Sequence, residues 1–508
     1  MTEKRRVITN TLANGIAQFV SMASALVFMP FLVRSFGLND FGLYLLALAV
    51  ASYASIADFG VGAALVKQTA EHLASNDHEG IRKLASTALA FYLAIGLVVA
   101  VLVSVLALFS GAIFSVDSDG ARLIRNLLLI AGVSALWTWP LNTANGVLQG
   151  FQRQAILART ALFMTLGNVG VTLVVLAMHE GPVALLVGVS AVSFIGGITN
   201  LLIARRLIRA DTEVSPLDAD AGVFREIVSF SWAVFVIQVC VLIIYQQTDR
   251  LLLGIFIGAT AVGLYEAAGK FQGFVSQLTG LTTGAVMPVA SQLQAEGRDS
   301  ALQTLFMRGT KYVLAFIAPV VVVLMVLAYP LILHWLGPQF APYAVAAQIL
   351  ISHQLLTLLT PIGDSILIGL GKLPKRLPYA VGVSIGNLVL SLLLIQPLGI
   401  FGVVLGTTIP YFVDFPFHIR MLVKETGLPW TSLWRRVILP TYPLLLVPLV
   451  MALAALRTPL MNSLLGVAFA AAASVTAYWA GFLMLSLDDI EREELSSLWA
   501  RVRARLSS

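Results

Sequence analysis

Long uninterrupted apolar runs recur along this 508-residue chain and limit what it can fold into. Runs of about twenty residues surround Val101–Leu108, Leu173–Leu176 and Val320–Leu327, and a helix of that length crosses a hydrocarbon core of about 30 Å. Charged residues make up 11% of the chain, whereas soluble domains carry about 25%. The short alternating segments of a transmembrane barrel are absent from the sequence. The sequence therefore predicts an all-α integral membrane protein.

The apolar runs and the polar breaks between them predict about fourteen transmembrane helices. The predicted spans are 9–33, 42–66, 84–114, 126–148, 160–178, 182–204, 228–253, 261–288, 312–333, 342–369, 377–397, 399–419, 437–456 and 462–485. No small-residue cleavage site follows the first apolar segment, so we expect a retained helix rather than a signal peptide. An even number of spans places both termini on the same side of the membrane.

The basic residues predict which side this is, because Lys and Arg are enriched in cytoplasmic loops. Of the 32 Lys and Arg, 26 lie in predicted loops and tails on the same side of the membrane as the N-terminus, and six do not. Four of the six are in the opposite loops, and two, Arg250 and Lys270, are intramembrane. We therefore expect both termini in the cytoplasm. The net charge of +6 then meets anionic lipid, and nucleic acid need not be invoked as a partner.

Two copies of one motif indicate an internal repeat. GLNDFGLY begins at Gly37, GATAVGLY begins at Gly258, and each copy opens an even-numbered predicted helix. Because each half then holds six helices, both halves enter from the same side and are related by a pseudo-twofold axis along the membrane normal. This parallel repeat is typical of alternating-access transporters.

The repeat and the polar breaks predict five regions along the chain. The expected N-terminal and C-terminal six-helix lobes are joined by a cytoplasmic linker and followed by an extra helix pair and an amphipathic cytoplasmic tail. Their predicted ranges are 1–204, 228–424, 205–227, 425–486 and 487–508, in that order.

Four charged side chains cluster in one predicted hairpin, within Tyr245–Phe271. Two interpretations are open. The acids and bases form a static paired cluster, or the bases line a cavity and bind an anionic substrate, since ions inside a membrane usually mark a pathway. Glu266 and Lys270 are four residues apart on one helical face, in the order that favours attraction. The four residues are Asp249, Arg250, Glu266 and Lys270.

Two stretches resemble a known family. Ser35–Lys67 is similar to the first helical hairpin of polysaccharide biosynthesis exporters, with FGLY followed by Asp58-Phe59-Gly60-Val61-Gly62. Thr248–Phe271 resembles the seventh-to-eighth hairpin of the same family, with an Asp, an apolar run ending in Gly, and then VGLY. The resemblance implies the oligosaccharide branch of the multidrug, oligosaccharidyl-lipid and polysaccharide exporter superfamily. Members of that branch move undecaprenyl-diphosphate-linked sugars from the cytoplasmic to the periplasmic leaflet of the bacterial inner membrane.

This resemblance gives the candidate residues their expected roles. The cations of the hairpin would hold the diphosphate, Gln246, Gln247, Asn142 and Asn145 would meet the sugars, and the lipid tail would stay in the bilayer. Asp58 and Asp364 are candidates for coupling or gating with a proton or Na⁺, although interfacial solvation is an alternative account of Asp364. Other polysaccharide-assembly proteins are possible partners. No cofactor or metal site is expected.

Other classes of function remain as alternatives. Multidrug antiport on the same fold would favour an acid-rich cavity, whereas bases lie in this hairpin too. A membrane glycosyltransferase would need acidic catalytic pairs in sizeable loops. The two GK dipeptides lack the spacing of a phosphate-binding loop, so no nucleotide-driven machine is indicated. The sequence therefore predicts a transporter rather than an enzyme.

Overall fold

The computed structural model describes residues 3–114, 116–208, 214–229, 231, 235, 248–284, 286–493 and 497, with side chains from residue 20 onward. Within these ranges every regular element is a helix. Ten helices there are long and apolar enough to cross a membrane, or eleven if one bent pair forms a single span. The prediction of an all-α, multi-pass membrane protein is confirmed.

The first six predicted spans fall on seven helices, because the second span is interrupted. These helices are α1 (Glu3–Phe36), α2 (Leu38–Tyr53), α3 (Val61–Ala74), α4 (His78–Ile113), α5 (Ser118–Gly150), α6 (Gln154–Ala177) and α7 (Pro182–Ile208). Asp77 and Asp117 cap α4 and α5, because each carboxylate accepts the backbone N–H three residues ahead.

The second half continues with α8 (Thr248–Phe256), α9 (Ala259–Thr283), α10 (Val286–Ala295), α11 (Asp299–Leu336), α12 (Ala344–Ser352), α13 (Pro361–Gly369), α14 (Leu377–Leu398), α15 (Ile400–Thr426), α16 (Leu446–Ala455) and α17 (Leu464–Leu485). Most of the predicted seventh span, 228–253, lies outside the described residues, as does most of the amphipathic tail.

The prediction of one continuous second span was wrong. After α2 the chain makes a 3₁₀ turn, Ala54–Asp58, and α3 then begins at Val61. Phe59 and Gly60 have φ angles of 50° and 78° in the left-handed region. An α-helix cannot continue through two such residues, and glycine tolerates this conformation better than other residues do. The break separates Asp58 from the helix that follows it.

The prediction for the tenth span also needs correction. It consists of two segments, Ala341–Thr357 and Pro361–Gly369, bent by 55°. The bend has a local cause, because Pro361 lacks a backbone N–H and starts the second segment at a position where that donor is not needed.

The chain divides into two compact units, one of residues 1–266 with 388–403 and one of 267–387 with 404–508. In the first, α5 packs against α2, α3, α4 and α7. In the second, α11 is central and packs against α12, α13, α16 and α17. A buried apolar cluster joins α11 to the C-terminal pair and contains Val323, Leu327, Ala452, Val467 and Ala470. The predicted lobe boundaries stay predictions.

The two copies of the repeated motif contact each other within the first unit. A Cβ on Gly42 would lie 1.9 Å from the carbonyl oxygen of Ala259, and a Cβ on Gly263 would lie 2.7 Å from Leu38 Cδ1. The offset of 221 residues between the copies (258 minus 37) converts Leu38 to Ala259 and Gly42 to Gly263. The glycine of each copy therefore packs against the equivalent residue of the other copy, Gly42 against Ala259 and Gly263 against Leu38. Such a reciprocal contact is what a twofold relation between the copies produces.

The described part of the predicted linker lies along the start of α4. Backbone N–H groups of Ser215 and Asp220 donate to the hydroxyls of Ser86 and Thr87, at 3.2 and 3.0 Å. Arg82 Nη1 is 2.5 Å from Asp218 Oδ2. These contacts anchor residues 214–220 to the first unit.

Candidate functional site

Arg250 and Glu266 form an ion pair inside the hairpin of α8 and α9. Arg250 Nη2 lies 2.7 Å from Glu266 Oε2, and Arg250 Nε donates to the same oxygen at 2.9 Å. The Glu266 side chain is only 4% exposed, whereas that of Arg250 is 23% exposed. The structure therefore brings together two of the predicted site residues, and the acid fixes the cation in apolar surroundings.

Their sequence neighbours form a second contact in the same hairpin. The Tyr265 hydroxyl donates to Asp249 Oδ2 at 2.5 Å. Thr248 Oγ1 lies 2.7 Å from the Tyr53 hydroxyl at the end of α2. Tyr265 is the tyrosine of the VGLY motif, so the motif supplies the partner of a candidate site residue. Tyr265 had no predicted role, although its place in the repeat was a usable signal.

The other predicted substrate residues of this region are Lys270, Gln246 and Gln247. Lys270 is half-buried on α9, one helical turn beyond Glu266, and belongs to the second compact unit. Gln246 and Gln247 lie outside the described residues. Their proposed contacts with sugars stay predictions.

Asn142 and Asn145 belong to a hydrogen-bond chain that crosses three helices. Asn145 Nδ2 donates to Asn142 Oδ1 at 3.2 Å, and Asn200 Nδ2 donates to Asn145 Oδ1 at 2.9 Å. Asn200 Oδ1 in turn accepts the Thr160 hydroxyl at 2.9 Å. These hydrogen bonds link α5, α7 and α6, as polar side chains between membrane helices commonly do. Asn200 and Thr160 were missed because single polar residues in apolar runs give no sequence signal for pairing.

Asp58 lies at the break between α2 and α3. Its carboxylate accepts the Tyr92 hydroxyl at 2.7 Å and lies 3.3 Å from the backbone nitrogen of Gly62. Tyr92 is fully buried against Trp139, with ring centroids 5.9 Å apart. The candidate coupling residue thus has a hydroxyl donor from α4 and sits beside two residues of left-handed backbone.

Asp364 belongs to a second cluster. This cluster lies near the helix ends that are predicted to face the cytoplasm. Asp364 Oδ1 lies 2.9 Å from Arg376 Nε and 2.9 Å from His418 Nε2. The other ring nitrogen of His418, Nδ1, lies 3.6 Å from Asp414 Oδ2. Asp364 and His418 are both buried. The i,i+4 spacing of Asp414 and His418 already suggested that these two residues pair, but the contact of His418 with Asp364 was not predicted, because the two positions are 54 apart in the sequence.

A third buried ion pair ties the C-terminal segment to α11. Lys311 Nζ lies 2.5 Å from Glu491 Oε2, with both side chains almost fully buried. Glu491 also accepts the backbone N–H of Asp488 at 3.0 Å, while its own N–H donates to the Asp488 carboxylate. This reciprocal pair is a capping box that starts the segment after α17. The contact anchors the base of the tail and is structural.

The comparison with protein families decides the identity of this architecture. The family described as polysaccharide biosynthesis protein matches residues 7–294, more than half of the chain. The chain belongs to this family. The matched region contains the Asp58 break, the asparagine chain and the Arg250–Glu266 pair.

Relatives and solved structures extend this result for the polysaccharide biosynthesis protein. The probable flippase AglR of Haloferax volcanii is 24% identical over 403 residues, 78% of this chain and 79% of that protein. The lipid II flippase MurJ, in an inward closed conformation, aligns with a TM-score of 0.71 at 13% identity, covering 94% of this chain and 99% of that chain.

Multidrug transporters have the same fold. An inward-facing MATE family transporter of the MOP superfamily aligns with a TM-score of 0.62 at 17% identity, over 80% of this chain and 95% of that one. A MOP superfamily transporter of Pyrococcus furiosus, described as having a binding pocket of reverse polarity, aligns with a TM-score of 0.53 at 15% identity. The alignment covers 83% of this chain and 96% of that one. At these identities the likeness shows the fold. The chain is a multi-pass membrane protein whose fold is similar to that of these transporters.

Proposed function

We propose that this protein is a flippase for undecaprenyl-diphosphate-linked oligosaccharide in the bacterial cytoplasmic membrane. The cargo would be a repeat unit of O-antigen, capsule or exopolysaccharide, moved by alternating access. The observation that carries the proposal is the polysaccharide biosynthesis family match over residues 7–294. The names of two similar proteins, a probable flippase and a lipid II flippase, support the same class of activity.

The hairpin of α8 and α9 offers the chemistry for a diphosphate. Arg250 has a planar guanidinium with five N–H donors, a geometry that suits phosphate oxygens. The buried Glu266 keeps this cation in place in apolar surroundings. The Arg250 side chain stays partly exposed, so that a ligand can approach it. In the proposal Arg250 and Lys270 hold the diphosphate, while Asp249 and Glu266 orient the bases. Asn142, Asn145, Gln246 and Gln247 meet the sugars.

The proposal includes coupling of transport to a proton or Na⁺. Asp58 and Asp364 are the candidate residues, because each is an acid with a specific partner at a helix interruption or end. In the proposal both termini lie in the cytoplasm. Other polysaccharide-assembly proteins are the expected partners, since a flippase takes its cargo from one set of enzymes and delivers it to another.

Transport can be measured directly with a labelled cargo. The purified protein is reconstituted in liposomes of phosphatidylethanolamine and phosphatidylglycerol that contain fluorescent undecaprenyl-diphosphate-linked N-acetylglucosamine. External dithionite bleaches only the dye in the outer leaflet, so a flippase raises the bleached fraction above the half seen in protein-free liposomes. A bleached fraction equal to that of protein-free liposomes would contradict the proposal.

A genetic experiment separates this function from multidrug antiport. Deletion of the gene should remove surface polysaccharide and cause undecaprenyl-diphosphate-linked oligosaccharide to accumulate in the cells. Sensitivity to cationic dyes should not change. Increased dye sensitivity with normal surface polysaccharide would instead assign the protein to drug export.

A further inference from the structure

His418 has a carboxylate at each of its two ring nitrogens. Asp364 Oδ1 lies 2.9 Å from Nε2, and Asp414 Oδ2 lies 3.6 Å from Nδ1. A neutral imidazole has one N–H donor and one acceptor nitrogen. If Nε2 carries the single hydrogen and donates to Asp364, the lone pair of Nδ1 faces the Asp414 carboxylate, and two acceptors repel each other. A proton on Nδ1 removes this conflict.

The charge of the cluster also favours one bound proton. Asp364 from α13, Tyr379 from α14 and Asp414 from α15 lie against the imidazole, and Arg376 from the turn before α14 contacts Asp364. The two acids are balanced by Arg376 and one further positive charge. With imidazolium the cluster is neutral, and without the proton it carries one net negative charge. Because the groups are largely buried, an uncompensated charge there is costly.

The turn before α14, which carries Arg376, is held directly to α15 by a separate, exposed set of ion pairs. Lys372 and Lys375 lie 3.3 and 2.6 Å from the Glu425 carboxylate, near the end of α15. Lysine and glutamate do not change charge near neutral pH, whereas histidine is the side chain that does. The turn before α14 is therefore attached to α15 directly by a pH-insensitive contact, and through Asp364 of α13 by a contact that needs a proton.

We propose that the Asp364–Arg376–His418–Asp414 cluster is the proton-binding site that couples transport to the proton gradient. The inference rests on the proposed flippase function and names His418 as the proton carrier. Proton binding completes the contacts among α13, the turn before α14 and α15. Proton release leaves one net negative charge and loosens these contacts. They lie near the helix ends that the positive-inside pattern predicts to face the cytoplasm.

The protonation state is tested without any transport measurement. The full-length protein in nanodiscs, labelled with ¹⁵N-histidine, contains six histidines, and His418→Gln identifies the signal of interest. We expect that signal to show an imidazolium at pH 7, with two protonated nitrogens. A neutral imidazole at pH 7 would overturn the proposal, even if the protein moves no cargo.

Coupling is tested in the liposome assay with an imposed gradient of one pH unit. Such a gradient changes the occupancy ratio of a proton site about tenfold, which sets the upper limit of acceleration for one proton per cycle. The wild type should be accelerated several-fold, whereas His418→Gln and Asp414→Asn should move cargo at a rate that the gradient does not change. A Na⁺ gradient at equal pH should have no effect.

Two control variants distinguish proton coupling from simple damage. His353→Gln removes another buried histidine of the same unit, one that stacks on Tyr411 with ring centroids 4.2 Å apart. Glu425→Gln weakens the ion pairs that hold the turn before α14 to α15, and it leaves the imidazole of His418 in place. Both should keep the acceleration. Wild-type transport without acceleration, acceleration in His418→Gln, or acceleration by Na⁺ alone would each refute the coupling site, whereas absence of any transport would refute the flippase function instead.

Discussion

Removal of either partner of the Arg250–Glu266 pair tests whether the pair is structural or binds cargo. Arg250 contacts Glu266 Oε2 through two nitrogens, at 2.7 and 2.9 Å, and the acid is almost fully buried. The variants are Arg250→Leu, Glu266→Leu and the double replacement. Each single change leaves a charge in apolar surroundings without its counterion, while the double change leaves neither.

The size of the effect follows from this geometry. Two unit charges about 4 Å apart attract by about 4 kcal/mol at an effective dielectric of about 20. Because Arg250 is 23% exposed, water and headgroups screen part of this attraction. We therefore expect each single variant to lose about 2–4 kcal/mol of unfolding free energy, slightly less than the loss of about 3–5 kcal/mol known for fully buried pairs that lose one partner. The double variant should lose about 2 kcal/mol less than the sum of the single variants. Unfolding by sodium dodecyl sulfate in mixed micelles measures these values.

Transport then separates the two interpretations. A cation that binds diphosphate is needed for its own sake, so the double variant should regain stability and yet stay defective in the dithionite assay. A purely structural pair predicts that stability and transport return together. Wild-type transport in the double variant would refute the binding role of Arg250, and additive stability losses would refute the ion pair as a source of stability.

Four further predictions address other parts of the chain. Lys270→Ala should lower polysaccharide export in cells with the protein still inserted, and Lys270→Arg should retain part of it, because either cation can hold a diphosphate; equal export by Lys270→Ala and wild type would remove Lys270 from the site. Asp58→Asn should abolish transport at normal membrane abundance, and loss of folded protein would indicate a structural role instead. Gly42→Ala should destabilise the protein far more than Ala substitution at Gly273, where a Cβ meets nothing within 4 Å, and similar unfolding curves for the two would contradict the close contact with Ala259. In a Cys240→Ala background an impermeant thiol reagent should label cysteines at Glu180 and Gln339 but not at Leu217 and Lys375, and the reverse pattern would invert the topology.

Much of the architecture was predictable because it depends on local composition. The apolar runs gave the membrane helices, since the bilayer requires about twenty apolar residues per span wherever they pack. The repeat GLNDFGLY and GATAVGLY identified the segments that contact each other. Local composition did not predict the interruptions at Phe59 and Pro361, because glycine and proline also occur inside continuous membrane helices.

The sequence by itself determined that this chain spans a membrane as a helical bundle, that it contains a repeat, and that Arg250 and Glu266 share one hairpin, because these properties follow from spacing along the chain. Only the tertiary structure decided the pairing of side chains across helices: Tyr92 with Asp58, Asn200 with Asn145, and His418 with Asp364. These partners are separated by 34, 55 and 54 residues. Helix packing brings them together, and in an apolar interior a polar group that packing leaves without a partner is costly.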